Sequence, residues 1–256
     1  MHTSQDEIMR LEDLLRKYED SLNDAGVRGS SYTLSAINLL RPALEYLRDQ
    51  RVKAMLDLGC GYGVLTLIVA EAIGVKRCYA IDVDENRLDY IKGLSRKACV
   101  DIITLRQDFS KPISLPEEVH LVTMFGSLEH NVDWDGILEN IRSNLVKGGF
   151  VLISMPNLGS WVNRVALLLG YQPRDLEISR KKAFGVAPFF RKNAIGHIKV
   201  ATFGAFKEFL KDNGFDIIVA RPLYSKEGLL INLVDKILFT PRFSRRFYVL
   251  AKLRNK

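Results

Sequence analysis

Apolar positions in the first two thirds of this chain alternate between two rhythms. Short runs of near-continuous apolar residues cover Lys53–Leu58, Arg77–Asp82, Ile102–Leu105, His120–Phe125 and Phe150–Met155, each bounded by turn residues. Such runs read as strands buried on both faces. Between them lie helical stretches: one from Leu65 to Ile73, one that ends near Lys97, and one from Asp133 to Val146 that stops at Lys147-Gly148-Gly149. Ser110–Glu118 holds two prolines and reads as loop. Strands spaced by helices predict an α/β fold, a mostly parallel sheet with helices on both faces.

Upstream, residues 4–22 read as an amphipathic helix. Ser4 and Glu7 form a capping box, and Ile8, Leu11, Leu15, Tyr18 and Leu22 lie on one stripe. A second helix runs from about Leu34 to Asp49. These helices either cover the site from above or pack on the sheet edge.

After Pro156 the rhythm breaks. Trp161–Leu169 is an apolar helix, but residues 157–200 hold no clear strand. A compact domain rarely carries a segment of about 40 residues outside its layers without a use. The pattern returns with a helix at Thr202–Asn213, Gly214 as its cap, a strand at Phe215–Ala220, a short apolar helix at Leu229–Phe239 and a final strand at Phe247–Lys252. The expected organisation is an N-terminal helical segment at 1–50 and a domain at 51–256 with an insertion at 157–200.

Composition adds limits. No apolar run approaches 20 residues, and residues 1–24 lack a signal peptide's apolar centre. Cys60, Cys78 and Cys99 show no metal-ligand spacing, and no metal site is expected. Together these features suggest a cytoplasmic chain with reduced thiols. The net charge of +7 is uneven: residues 1–172 carry 19 Lys+Arg against 23 Asp+Glu, and residues 173–256 carry 18 against 7. A basic C-terminal third suggests an anionic partner, whether a charged substrate, a membrane surface or nucleic acid, or else a solvated basic surface.

The chemistry centres on Met55-Leu-Asp-Leu-Gly-Cys-Gly-Tyr-Gly63, a strand that ends in alternating glycines and opens a helix. Glycine lets backbone approach a ligand, and a helix N-terminus offers free N–H groups. A dinucleotide fingerprint needs Gly-x-Gly-x-x-Gly. Here the third glycine comes one residue early, and Asp57 precedes the turn, where it would repel a pyrophosphate but favour an ammonium or sulfonium group. Asp82, at the end of the second strand, suits a ribose diol. Asp108-Phe109, after the third strand, suits an adenine amino group and an adenine face.

In this order the segments resemble the motifs of class I S-adenosylmethionine-dependent methyltransferases. Leu56–Gly63 is similar to motif I, Ala80–Asp84 to the ribose motif and Gln107–Phe109 to the adenine motif. Val122–His130 and Leu145–Asn157 are similar to the motifs of the fourth and fifth strands, and Gly196-His197 with Phe206–Phe215 to the close of the domain. The nearest likeness is to the ubiquinone-biosynthesis O-methyltransferases and the small-molecule methyltransferases grouped around them. Asn38-Leu-Leu-Arg41 resembles an upstream element whose arginine pairs with the cofactor carboxylate.

The resemblance implies a Rossmann-like sheet of seven strands, one of them antiparallel. It also implies S-adenosylmethionine as methyl donor, with S-adenosylhomocysteine as product. The cofactor-binding set is then Arg41, Asp57, Gly59, Cys60, Gly61, Gly63, Asp82, Val83, Asp108, Phe109 and Phe125. Direct displacement from a sulfonium needs in-line positioning and exclusion of water, and an oxygen acceptor needs a base as well. His130, after the fourth strand, and His197 compete for that role, since histidine titrates near neutrality. Residues 157–200 are the expected substrate cap. Trp161 and Tyr171, with Phe184, Phe189 and Phe190, offer stacking surface or pack the cap's own core. Arg174, with Arg180, Lys181, Lys182, Arg191 and Lys192, can meet an anionic group.

No Asn/Asp-Pro-Pro-Tyr and no Pro-Cys follows the fourth strand, which argues against amino-adenine and cytosine C5 chemistry. The implied activity is methylation of a small-molecule or lipid- or sugar-linked acceptor, on a hydroxyl oxygen. An RNA methyltransferase using the basic third and a non-catalytic cofactor-binding protein are the alternatives. Residues 228–246, an apolar helix followed by Arg242, Arg245 and Arg246, offer a peripheral contact with the inner face of a membrane, or else pack on the sheet edge.

Overall fold

The computed structural model describes residues 4–23, 37–188, 194–223 and 229–255. Its elements in chain order are α1 (Ser4–Lys17), α2 (Glu19–Asn23), α3 (Arg41–Arg48), β1 (Ala54–Leu58), α4 (Val64–Ile73), β2 (Arg77–Asp82), α5 (Glu85–Ser95), β3 (Asp101–Arg106) and β4 (Val119–Phe125). A 3-10 turn at Leu128–His130 leads to α6 (Trp134–Asn144), β5 (Leu145–Pro156), α7 (Trp161–Leu168), α8 (Phe203–Asp212), β6 (Phe215–Leu223), α9 (Leu229–Ile237) and β7 (Arg246–Leu253).

The seven strands form one sheet in the order β3-β2-β1-β4-β5-β7-β6. All pairs are parallel except those of β7, which runs antiparallel to both β5 and β6. Strand order reverses between β1 and β4, and in open α/β sheets ligands sit beyond the carboxyl ends of strands at such a switch point.

Strand residues alternate between two cores, one on each face. Met55, Cys78, Ala80, Leu121 and Leu152 join α1, α3 and α4 on one side. Leu56, Leu58, Tyr79, Val122, Val151 and Ile153 join α6 and α8 on the other. The described part of the N-terminal segment therefore stacks on α4. Tyr18 donates its hydroxyl to Glu71 Oε2 at 2.8 Å, Lys17 Nζ reaches Oε1 at 2.7 Å, and the Cys99 N–H donates to the same carboxylate. Burial would raise the Glu71 pKa, but these bonds outweigh it and hold the carboxyl below its ordinary range. Because α4 lies between the sheet and these helices, it is apolar almost all round.

Some boundaries differ from the sequence reading. The single helix at 4–22 is two, divided at Tyr18, and the helix expected from Leu34 is interrupted: Ile37 and Asn38 are helical, Leu39 and Leu40 form a turn, and α3 starts at Arg41. Residues 24–36 and the side chains of Ser4, Glu7 and Ile8 lie outside the described set. Lys147-Gly148-Gly149 does not stop a helix. Residue Leu145 already pairs with Val119, and the register shifts before Leu121 meets Phe150. Leu145 is buried in the second core, so packing there draws it into the strand. The helix at 202–213 ends on Asn213, with Gly214 following at φ 88°.

Candidate active site

The turn between β1 and α4 hangs on β2. The Gly59 and Cys60 N–H groups both donate to the Ile81 carbonyl, at 2.8 and 2.9 Å. Gly61 donates its N–H to Asp82 Oδ2 at 2.9 Å, and Asp84 donates its own to Oδ1 at 3.0 Å. Asp82 is thus the buried carboxylate that shapes the glycine turn, with Arg87 Nη1 3.7 Å away.

The three glycines have different reasons. All three hold positive φ. A Cβ on Gly59 would lie 2.6 Å from Ser127 Cβ and 3.1 Å from a Phe109 ring carbon, and one on Gly63 would overlap the Ile91 side chain. A Cβ on Gly61 would meet nothing within 4 Å. Two glycines therefore serve internal packing, and the middle one faces open space. Helices α5, α6, α7 and α8 each begin on a side chain that accepts from a first-turn N–H, whereas α4 begins on Gly63 with no such cap. Its first N–H groups remain available to a ligand.

Asp57 lies beneath this turn, 2% exposed. Thr123 donates its hydroxyl to Oδ1 at 2.7 Å, and Thr66 donates to Oδ2. Burial pushes the carboxyl up to about 6, against the pull of both hydroxyls. Neither partner carries charge, so a cationic ligand group beside Asp57 would supply the missing countercharge. Val83, next to Asp82, is 59% exposed, an uncovered apolar surface at the end of β2. Asp108 accepts from the Ser110 N–H at 2.9 Å, which with the Ser110 hydroxyl holds its carboxyl below the ordinary range. Phe109 is buried against Gly59, Cys60 and Phe125 are half-buried, and Arg41 starts α3, half-buried and without an ion pair to any described residue. Burial pushes the Cys60 thiol far up, so it stays neutral.

Beyond β4, sequence-distant segments meet. Ser127 donates its hydroxyl to the Leu58 carbonyl at 2.6 Å, tying the β4 turn to β1. Two residues on, Glu129 is 1% exposed. Its Oε1 lies 3.2 Å from Arg246 Nη2 and 4.0 Å from His197 Nε2, and Oε2 has no hydrogen-bond partner among the described residues. The Glu129 carbonyl accepts from the N–H groups of Ile198 and Lys199. Glu177 binds the segment just before, accepting from the N–H groups of Ile195, Gly196 and His197 at 2.5, 2.6 and 3.2 Å.

The two candidate histidines are neighbours, with ring centroids 5.3 Å apart. His130 is exposed, and its Nδ1 lies 2.9 Å from the Gly196 carbonyl. His197 is buried, its Nδ1 3.3 Å from the Asp175 carbonyl. Burial pushes its pKa down, with Glu129 and Asp175 pulling against that shift. Burial also raises Asp175, which Asn163 bonds at 3.3 Å. Although no metal cluster was expected, Glu129, His130 and His197 bring three possible ligand atoms within 4.8 Å of one another.

The expected substrate residues are less clearly directed at a ligand. Trp161 donates its indole N–H to Asp235 at 2.9 Å and, with Tyr171, packs on the small core of Val162, Ala166 and Ala187. The Trp161 indole thus anchors the segment to α9. Arg174 is half-buried beside Asp175, and its N–H donates to Asn163. Within 228–246, Arg242 is exposed, but Arg245 is buried in a pair with Asp235 at 2.7 Å and Arg246 turns inward to Glu129, so two of the three arginines do not face outward. A buried carboxylate draws in each of these two arginines. Phe189, Phe190, Arg191 and Lys192 lie outside the described residues.

A family model described as Methyltransferase domain matches residues 32–220. The chain belongs to this methyltransferase-domain family. Among curated relatives, malonyl-[acyl-carrier protein] O-methyltransferase 2 of Coxiella burnetii is 24% identical over 155 residues, covering 60% of this chain and 62% of its own. Ribosomal protein L11 methyltransferase of Legionella pneumophila is 33% identical over 100 residues, 39% of this chain and 33% of its own. The chain spans only about a fifth to three fifths of the length of the curated relatives it matches first. In three dimensions it is similar to an S-adenosylmethionine-dependent methyltransferase from Clostridium acetobutylicum, with a TM-score of 0.61 at 15% identity, covering 93% of this chain and 98% of the other. The sheet is thus the Rossmann-like fold of those methyltransferases.

Several residues of this site went unassigned in the sequence. Thr66, Thr123 and Ser127 carry no motif of their own, and Glu177 and Asp175 acquire partners only through the fold. For Thr66, Thr123 and Ser127 the one signal was position, within or just beyond segments that did read clearly; Asp175 and Glu177 lie in 157–200, where the pattern breaks.

Proposed function

We propose that this protein transfers a methyl group from S-adenosylmethionine to a hydroxyl oxygen of a small-molecule or lipid- or sugar-linked acceptor, with His130 as the base. S-adenosylmethionine supplies an activated methyl on a sulfonium. Asp57, the glycine turn and the uncapped start of α4 fit the ligand's cationic end. Asp82 and Val83 fit its ribose and adenine, with Asp108 and Phe109 beside them and Arg41 toward its carboxylate.

The observation that carries the reading is the bond between His130 and Gly196. A carbonyl only accepts, so Nδ1 donates and the neutral ring presents the Nε2 lone pair. That lone pair belongs to an exposed ring at the carboxyl end of β4, in the turn that Ser127 ties to β1. The buried His197 packs behind it. Residues 157–200 then serve as the cap over the acceptor. The Coxiella relative's name as an O-methyltransferase supports oxygen as the acceptor atom.

The test is turnover in His130→Ala and His197→Ala with cofactor affinity measured alongside. His130→Ala should lower turnover about 10²- to 10⁴-fold with little change in cofactor affinity. Near-normal turnover in both variants would remove the histidine base. The RNA alternative loses charges to the inward-facing Arg245 and Arg246, and bulk RNA should bind weakly with a shallow salt dependence.

A further inference from the structure

The end of α7 is the most apolar exposed tip among the described residues. Leu167, Leu168 and Leu169 are 58, 85 and 61% exposed. The chain then turns at Gly170 and folds back. The Gln172 N–H donates to the Gly185 carbonyl at 2.8 Å, and its side-chain amide donates to the Leu176 carbonyl at 2.6 Å. These bonds bring the returning segment beside the tip and add Ile178, 73% exposed, and Phe184, 49% exposed. Monomeric proteins scatter exposed apolar side chains singly, and a cluster of this kind marks a contact surface.

Charge says what the contact is. Arg180, Lys181 and Lys182 lie between Ile178 and Phe184 and are exposed, and Lys182 Nζ lies 5.7 Å from the Phe184 ring centroid. The acids of residues 165–188 are Asp175 and Glu177. Asp175 is buried, and Glu177 is committed to the three N–H groups of residues 195–197. The tip therefore presents leucines with cations beside them and no freely exposed carboxylate of its own.

We infer that the leucine tip of α7, flanked by Arg180, Lys181 and Lys182, docks this protein on an anionic lipid bilayer. The leucines enter the boundary between headgroups and acyl chains, and the cations stay at headgroup level with their stems along the apolar surface. No described helix is long and apolar enough to cross a membrane, so the contact is peripheral. It also lies outside residues 228–246, where Arg245 and Arg246 are used internally. The surface stands whether or not the acceptor is lipid-linked, although it would carry such an acceptor to the cap.

The experiment is flotation with vesicles of phosphatidylcholine, with and without phosphatidylglycerol. Three cations near an anionic surface predict partition about 100-fold stronger onto the anionic vesicles at low salt. Leu168→Asp with Leu169→Asp should abolish partition on both. Lys181→Glu with Lys182→Glu should abolish only the anionic preference. A Leu168→Trp variant should shift its fluorescence to the blue on anionic vesicles. These side chains are exposed, so the thermal midpoint should hold in every variant, and methyl transfer to a soluble acceptor, measured separately, reports on the enzyme reading. Failure of the wild type to float with anionic vesicles at low salt would overturn the proposal. So would a concentration-dependent dimer that Leu168→Asp dissolves, since a second copy would then cover the tip.

Discussion

The two sides of the switch point are built in different ways. On the side proposed for the cofactor, the bonds that shape the glycine turn join β1, α4 and β2, close in sequence: Gly61 to Asp82, Asp57 to Thr66, Gly59 to Ile81, with Thr123 and Ser127 near the end of β4 as the long-range exceptions. On the acceptor side the partners are far apart. Glu129 meets Arg246 117 residues later, and Asn157 reaches the carbonyls of Pro241, Arg242 and Ser244. The first side is a short-range device that one motif can encode. The second exists only when several segments have converged.

The comparison can be broken most forcefully at Glu129. Removing one member of a buried ion pair is strongly destabilising, at a cost of about 3–5 kcal/mol. Glu129→Ala should lower unfolding free energy by that amount in a denaturant titration. If stability is unchanged, the acceptor side is not organised around that carboxylate.

Glycine substitutions sharpen the other half. Gly63→Ala combines a left-handed backbone with overlap against Ile91, and unfolding titration should register a loss of about 2–5 kcal/mol. Gly61→Ala carries only the backbone cost, about 1–2 kcal/mol, but should weaken cofactor binding more than tenfold by calorimetry, because its Cβ enters the open space. Equal effects at the two positions would mean that the open space is not where the ligand lies. Trp161→Phe removes a hydrogen bond to a buried carboxylate and should cost about 1.5–3 kcal/mol, with turnover falling more than cofactor affinity.

The smallest effect is a pH slope. Asp57 rises from its ordinary value of 3.8 to about 6 in the folded protein, because burial disfavours its charge. The folded state then binds the proton more tightly than the unfolded chain does. Its contribution to stability is full below about pH 4 and is lost as pH rises through about 6, with a slope of at most about 1.4 kcal/mol per unit. Across that window the thermal midpoint of cofactor-free wild type should fall relative to that of Asp57→Asn, which lacks this contribution. Binding a cation beside Asp57 should release the proton, so cofactor affinity should weaken below pH 6.

These contrasts also explain what could be read from the sequence. The alternation of apolar runs, the glycine spacing and the acids at strand ends all report local geometry, and strands β1 to β4 and the cofactor turn followed from them. The pattern failed at Leu145, where tertiary packing overrode a helical signal. It misdirected Arg245 and Arg246, whose charge looked external because the buried Asp235 and Glu129 that claim them lie 10 and 117 residues away. It also passed over Thr66 and Thr123, since a hydroxyl gains meaning only when Asp57 is buried between them.

The placement of β7 has a consequence for how the molecule comes to exist. It is the last strand in chain order, yet it lies inside the sheet, between β5 and β6. The anchors of the acceptor side, Asp235, Phe243, Arg245 and Arg246, all lie in or just before it. During synthesis the cofactor turn can therefore assemble while the polypeptide is still growing. The histidine pair and its surrounding segment must wait for the final strand. A nascent chain stalled before residue 235 would present the turn proposed for the methyl donor before the segment proposed to receive the methyl has its anchors.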